Sequence, residues 1–344
     1  MKTEVPLNGK PSAAVIIPVH NDSATLSATL ETVLPEVRAQ GWELIVVDDA
    51  STDGSGKLAE AQGARVLRLD ENRGVAGARN AGAAKVDVDI LIFVDADIVP
   101  ARGSLTAMVS TLSQRPELHA VGAYPLPGDL SAGWSSHFVG LRSAWGYGWK
   151  EGETERNFSS IQSECGAVRR PVFRELGGFP EIYKGVGMEE FQMAHEMEVR
   201  GYGNVLIRSA SYRHHYKPLF HRCRILYDRT ARWVPLFFRR KRFESPGAVG
   251  TPGAGVSCLL TALALAGLAA GLFVPPALIL ALAAWLVQIG LEWSFFRFSG
   301  AHYGPLMSVY GFFALQVLNI SIVLGFIRGL GRLFRRSRRP GRVS

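Results

Sequence analysis

The chain has 344 residues, 47% of them hydrophobic, with 38 Lys and Arg against 30 Asp and Glu for a formal net charge of +8. That length suits one large domain or two smaller ones, and the apolar fraction is ample for a packed core. Three cysteines, Cys165, Cys223 and Cys258, are far apart and form no CxxC pair, which argues against both a disulfide framework and a zinc site.

The first residues, MKTEVPLNGKPSAA, contain no apolar stretch of the kind a secretory signal needs, so the soluble part is expected to stay in the cytoplasm. After this tail (1–12), AAVIIPVHN (Ala13–Asn21) is a short apolar run stopped by polar residues, the pattern of a buried parallel strand. SATLSATLETVLPEV follows with helical spacing and Ser23 as its expected N-cap. WELIVVDDAS predicts a second strand, STDGSGKLAEAQG a turn and a helix ending at Gly63, and ARVLRLD a third strand. NRGVAGARNAGAAKV predicts a loop feeding a further helix, and DILIFVDAD a fourth strand. Strand alternating with helix implies right-handed βαβ units and a parallel sheet covered on both faces.

Ligands in such sheets bind at the carboxyl ends of the strands. Here those ends carry His20 and Asn21, then Asp48 and Asp49, then Asp95 and Asp97. A single acid ending a strand is more often a turn or a helix cap, but polar groups at successive strand ends favour a site. If the fourth strand stays extended, Asp95 and Asp97 project the same way, because strand side chains alternate with period two. Like-charged carboxylates held together repel unless a cation neutralises them. Their hard oxygens suit Mg²⁺ or Mn²⁺, which also take ligands from substrate phosphates, so a divalent ion presenting a diphosphate is expected.

VIIPVHN, LIVVDDASTDGS, NRGVAGARNAG and FVDADIV resemble, in order and spacing, the nucleotide-sugar domain of family 2 glycosyltransferases. The resemblance implies an α/β GT-A nucleotide-diphospho-sugar transferase fold, a mostly parallel central sheet flanked by helices. It implies nucleotide contacts at Pro18, His20, Asn21, Asp48, Asp49 and Arg79, with Asn80 less clearly placed. Asp97 and Asp95 fall on the family's metal-binding D-x-D motif. The glycines of NRGVAGARNAG are spaced GxxGxxxxG, which is neither a dinucleotide-binding fingerprint nor a phosphate loop. Counting back from Gly201-Tyr202, the family register puts Glu189 and Glu190 on the acidic pair that opens the acceptor-side helix. Glu190 then stands where the family usually has its base Asp. Two acids in the first turn of a helix could equally well only complement the helix dipole. His214 and His215, in SYRHHYK, fall where some members place a His near the metal or diphosphate. DRTARW (Asp228–Trp233) resembles the Q-x-x-R-W signature of processive members with Arg229 replacing Gln, so Arg232 and Trp233 are candidates for the diphosphate and acceptor. An Arg-Trp pair beside a basic segment also suits a membrane-interface anchor.

The basic clusters RRKRF (Arg239–Phe243) and RGLGRLFRRSRRPGR (Arg328–Arg342) flank an apolar region, 254–327. They read as membrane-surface and topology signals, and no nucleic-acid recognition motif accompanies them. Val256–Val274, Ala277–Phe296 and Leu306–Ile327 are each long enough to span, and buried helices of a soluble domain are the competing reading. Three spans would put the basic tail outside, against the positive-inside rule, so two effective spans with a re-entrant or interfacial segment are expected. The expected organisation is a tail (1–12), a GT-A domain (13–235, divided at 100), a basic linker (236–253), a membrane region (254–327) and a basic tail (328–344). The expected protein is a metal-dependent inverting hexosyltransferase of the cell (inner or plasma) membrane with a cytoplasmic catalytic domain. It would pass sugar from a UDP- or GDP-sugar to a lipid-linked or envelope glycan acceptor. A processive polysaccharide synthase and a catalytically silent nucleotide-sugar scaffold are the alternatives.

Overall fold

The computed structural model describes residues 10–148, 152–158, 161–183, 189–240 and 252–337. The RRKRF cluster beyond Arg240, residues 184–188 just before Glu189 and the end of the basic tail (338–344) therefore lie outside the described residues. Two compact units form. One takes the described residues up to Leu126 and those between 149 and His215; the other takes 127–148 and those from Tyr216 onward.

The first unit begins with β1 (Ala13–Val19), α1 (Ser23–Gln40), β2 (Glu43–Asp48), α2 (Ser55–Ala61), β3 (Arg65–Arg68), α3 (Gly74–Ala83) and β4 (Ile90–Val94). β3, β2, β1 and β4 are neighbours in that order and run parallel. Every residue of β1 and β4 is buried, which is why they read as unbroken apolar runs. Alternation sends Val15 and Ile17 toward Leu26 and Leu30 of α1, and Ala14 and Ile16 toward Ala76 and Ala78 of α3. Ser23 proves to be the first helical residue of α1 rather than its cap. The N-cap is Asp22, without a side-chain cap bond, and Asp53 takes the Ser23 N–H instead (2.9 Å).

Beyond β4 come β5 (Ile98–Pro100), α4 (Ser104–Gln114), β6 (Leu118–Asp129), α5 (Trp134–Gly146), β7 (Glu155–Asn157) and β8 (Cys165–Arg169). They are followed by α6 (Arg170–Glu175), α7 (Glu189–Val199) and β9 (Gly203–His214). The sheet continues from β4 as β8-β6-β9-β5, with β7 on β9. It is therefore mixed. β8 lies antiparallel between β4 and β6, and β9 is antiparallel to β5 and β7. Arg169, at the end of β8, is fully buried and donates to the Leu118, Leu112 and Arg115 carbonyls (2.7, 2.5 and 3.2 Å). It satisfies the open end of α4 from within the core.

The second unit joins α5 to α8 (Leu219–Arg240), α9 (Pro252–Gly271), α10 (Ala277–Leu291), α11 (Trp293–Tyr303) and α12 (Pro305–Ser337). Thus α5 and α8, assigned from sequence to the catalytic domain, pack with the C-terminal helices around Phe138, Leu141, Leu226, Phe295 and Leu315. Among the described residues, Gly253–Gly271 and Pro305–Leu333 are each long and apolar enough to cross a membrane. α10 and α11 together meet the same criterion but bend by 67° at their junction. α10 returns along α9 after the Pro275–Pro276 turn, and Gly267 permits the approach: a Cβ there would lie 2.9 Å from the Ala281 nitrogen. Leu272, Phe273 and Ile279 are well exposed, 83, 86 and 70%. Beside its apolar core the unit also buries a polar cluster. Gln288 and Asn319 both donate to Ser257 and Thr261, and Gln316 donates to Gln288 (2.9 Å). At the bend, Glu292 pairs with Arg142 of α5 (2.7 Å), whose guanidinium also covers the Trp145 and Phe295 rings.

Candidate active site

The β1–β4 ladder ends at the Ile16–Phe93 pair, while β1 stays on β2 as far as Val19–Asp48. A crevice thus opens beyond Pro18 at the carboxyl edge of the sheet, where parallel sheets take ligands. His20 Nδ1 donates to the Asp49 carbonyl (2.7 Å), and Asn21, at φ 55°, accepts from the Thr52 N–H (2.8 Å). The Asp48 and Asp49 side chains are buried and turned toward backbone. Asp48 accepts from Ser51 N–H (2.9 Å), and Asp49 accepts from the N–H groups of Arg73 and Gly74 (2.6 and 2.8 Å). Asp49 is thus the carboxylate at the N-terminus of α3, where the helix dipole and the unpaired amides favour an anion. Both acids shape the loops around the crevice.

The D-x-D acids differ from expectation in one respect. β4 stops at Val94, and Asp95 and Asp97 lie in a turn closed by the Ile98 N–H on the Asp95 carbonyl (3.1 Å). Strand alternation therefore does not govern them, because the chain has already left the sheet's extended geometry. Asp95 is drawn to Arg79 of α3 (2.5 Å) and Asp97 to Nε2 of His214 at the end of β9 (3.1 Å). The His215 N–H also donates to the Asp97 carbonyl (2.9 Å), so β9 holds the turn by main chain and side chain. Arg79 is 2% exposed, while Asp95 and Asp97 keep 23 and 20% exposure.

These environments shift the protonation equilibria. Burial pushes the Asp95 carboxyl up; Arg79 opposes this and the Asp97 and Glu164 charges add to it, leaving it at about 7. Burial works against a charged His214 ring, yet Asp97, Glu164 and Asp95 outweigh it and raise its pKa to about 9. Asp95 and Asp97 thus present two carboxyl groups on one turn, flanked by the cationic side chains of Arg79 and His214. Among the described residues no set of three His, Cys, Asp or Glu side chains closes on one point. Two hard oxygen donors that keep some exposure fit a divalent cation that completes its coordination with substrate oxygens. The residues present that could hold it are Asp97 and Asp95, with the His214 nitrogen beside them.

Two neighbours were missed from the sequence. Glu164 precedes β8; its carbonyl accepts from the Asp95 N–H (2.9 Å), and its carboxylate accepts from Tyr212 Oη (2.8 Å). Ser163 is fully buried and donates to Glu190. The structure therefore brings Glu190, on α7, to the same edge as Asp95. The only available signal was the acid and hydroxyl pair in QSEC just before a run of apolar strand residues. The side chain of Glu189 lies outside the described structure. Arg232 and Trp233 belong to α8 in the second unit, where Trp233 stacks on Phe237 (ring centroids 4.9 Å apart).

Asn80 acts as a strap. Its amide oxygen accepts from the Phe179 N–H (2.9 Å), and its amide nitrogen donates to the Phe179 carbonyl (2.8 Å) and to Glu181 (3.0 Å). Arg73 adds an ion pair to Glu181 (3.0 Å). Gly178 is required here: at φ 76° any Cβ would stand 2.7 Å from the Asn80 oxygen.

Residues 14–177 match the family model described as Glycosyl transferase family 2. An uncharacterized protein of Sinorhizobium fredii, y4gI, is 28% identical over 228 residues, 61% of this chain and 25% of that protein. The O-antigen biosynthesis protein RfbC of Myxococcus xanthus is 26% identical over 204 residues, 55% of this chain and 16% of that protein. The chain thus spans a quarter or less of the length of these two relatives. A mannosyltransferase of Pyrobaculum calidifontis, PcManGT, solved with GDP-Man and Mn²⁺, has the same fold with a TM-score of 0.54. It is 21% identical, with 94% of this chain and 88% of that one covered. Motifs, sheet and family match agree: residues 14–177 resemble a family 2 glycosyltransferase domain, and the fold they build is the GT-A fold.

Proposed function

We propose that the protein is a membrane-anchored, inverting glycosyltransferase that moves a sugar from a nucleoside-diphosphate donor to a lipid-linked or membrane-proximal acceptor. The observation that carries this reading is the turn at Asp95–Asp97, held between Arg79 and His214 with Glu164 and Glu190 gathered beside it. In this reading the loops shaped by His20, Asn21, Asp48 and Asp49 receive the nucleotide. A divalent cation on Asp97 and Asp95, Mn²⁺ or Mg²⁺, would offset the charge that develops on the leaving diphosphate. Glu190 takes the proton of an acceptor hydroxyl. The acceptor oxygen then bonds to the anomeric carbon as the bond to the diphosphate oxygen breaks on the opposite face, which inverts that carbon. An acceptor that is itself a phosphate is already ionised and needs Glu190 less. Exposed apolar helices α9 to α12 support an anchor in the cell membrane; in this reading the catalytic unit faces the cytoplasm, as the basic flanks of the apolar region suggest.

Calorimetry of the detergent-purified chain with UDP and GDP, with and without Mn²⁺, tests the donor site. Metal-dependent binding of one nucleotide is expected, and folded protein that binds neither would overturn the reading. Glu190→Gln then separates acceptor classes. Turnover on a hydroxyl acceptor should fall at least a hundredfold, with donor binding intact.

A further inference from the structure

The turn between β7 and β8 puts one carboxylate into the donor region that the D-x-D motif does not account for. Glu164 is joined to the proposed cation site through its backbone, since its carbonyl accepts the Asp95 N–H (2.9 Å). Its neighbour Ser163 donates to the proposed base Glu190. Consecutive residues thus reach from the acid that would hold the diphosphate to the acid that would deprotonate the acceptor. In an inverting displacement the donor sugar must occupy this interval, with its leaving group toward the metal and its other face toward the base.

The Glu164 side chain is also fixed. Gln162 donates to Tyr212 Oη (2.9 Å), and Tyr212 Oη donates to Glu164 Oε2 (2.8 Å). Tyr212 is fully buried on β9, two residues before His214, so the same strand orients Glu164 and Asp97. A carboxylate beside a diphosphate is repelled by it and gains nothing from the nucleotide. What it can gain is hydrogen bonds from hydroxyl groups, which are stronger to a charged acceptor than to a neutral one. Its place between Asp95 and Glu190 sets the sugar hydroxyls within the interval it faces, and those are donors it can serve.

We propose that Glu164, oriented by Tyr212, is a specificity-determining residue that accepts hydroxyl hydrogens of the transferred sugar. The proposal rests on the donor-site reading above. A sugar lacking the matching hydroxyl would desolvate this carboxylate without supplying the lost hydrogen bond, which is how a polar site rejects an analogue.

The test uses the full chain in detergent with Mn²⁺ and measures binding of UDP, GDP, UDP-glucose, UDP-N-acetylglucosamine and GDP-mannose to wild type, Glu164→Gln and Tyr212→Phe. The expected result is that Glu164→Gln binds the bare nucleotide as wild type does but binds the preferred nucleotide sugar tenfold or more weakly. Tyr212→Phe keeps the carboxylate and loses only its orienting hydroxyl. It should show a smaller loss confined to the nucleotide sugar, and it carries the test alone if Glu164→Gln does not fold. Equal weakening of nucleotide and nucleotide sugar would overturn the proposal, since the carboxylate would then act on the cation site as a whole. Unchanged binding of both would also overturn it. Wild-type protein that binds none of these compounds would instead remove the donor-site reading itself.

Discussion

Asp95 and Asp97 stand one residue apart but answer to different neighbours. Asp95 faces a buried guanidinium and Asp97 a histidine at the rim. Replacing Asp97 with Asn keeps the shape and a hydrogen-bonding group against His214 while removing the negative charge. Turnover should be abolished while the melting temperature stays within a few degrees of wild type. An active Asp97→Asn enzyme would argue against the metal role. Ser163 makes a complementary case, because its hydroxyl touches Glu190 and not the donor acids in the proposed mechanism. Ser163→Ala should lower kcat about tenfold, the scale of one hydrogen bond to a charged group, with the donor KM unchanged. A change in donor KM alone would place Ser163 on the other side of the reaction. Asp97 could be found from sequence because its motif is local. Ser163 could not, since its partner Glu190 is brought in from another element, 27 residues along the chain.

Between elements, much of the order at the crevice comes from side chains that end helices. Asp53 accepts from the N–H groups of Ser23 and Ser55 (2.9 and 3.0 Å), which ties the starts of α1 and α2 together. Burial pushes the Asp53 carboxyl up, but the bonds from Ser55 and Ser23 outweigh it and hold it well below the usual carboxylate range. A depressed folded-state pKa contributes stability that is full above the unfolded value, near ~4, and lost as pH falls through the folded one. Asp53→Ala should therefore cost about 1 kcal/mol at neutral pH. The gap to wild type should narrow as denaturation is repeated below about pH 4. An equal gap at every pH would show that packing and not the carboxylate is responsible. The same logic explains why DDASTDGS could be recognised yet its roles not divided. All three of its acids lie near the crevice edge, and only the fold shows Asp49 ending α3 and Asp53 joining two helices.

For the molecule as a whole, β1, β2 and β4 were readable because burial on both faces turns each into an apolar run, while the half-buried β3 was placed by the alternation of strand with helix. The rest was not, because β8 reaches its place between β4 and β6 through antiparallel pairing across some 70 residues of chain. No local pattern reports such a pairing, nor the departure of α5 and α8 to the second unit. In that unit the polar residues of α9, α10 and α12 meet in one cluster, with Gln288 at its centre. Side-chain hydrogen bonds inside membranes average about 0.6 kcal/mol each. Gln288→Leu, which loses several, should lower the stability of the detergent-solubilised protein by ~1–2 kcal/mol. Asn319→Leu should do the same, and the double variant should lose less than the sum because the two share Ser257 and Thr261.

The pairing of Arg142 with Glu292 also bears on how the chain is made. The residues are 150 positions apart, and Arg142 leaves the ribosome first. In the proposed membrane-anchored state, Glu292 arrives with α9 and α10 at the end of an apolar hairpin as a charge that is costly to leave alone in hydrocarbon. Its partner already waits on α5, a segment of the same helical unit that is synthesised well before the hairpin. Synthesis order thus lets α5 act as the template on which the hairpin closes. A chain without Arg142 would meet its difficulty at insertion, before any question of activity arises.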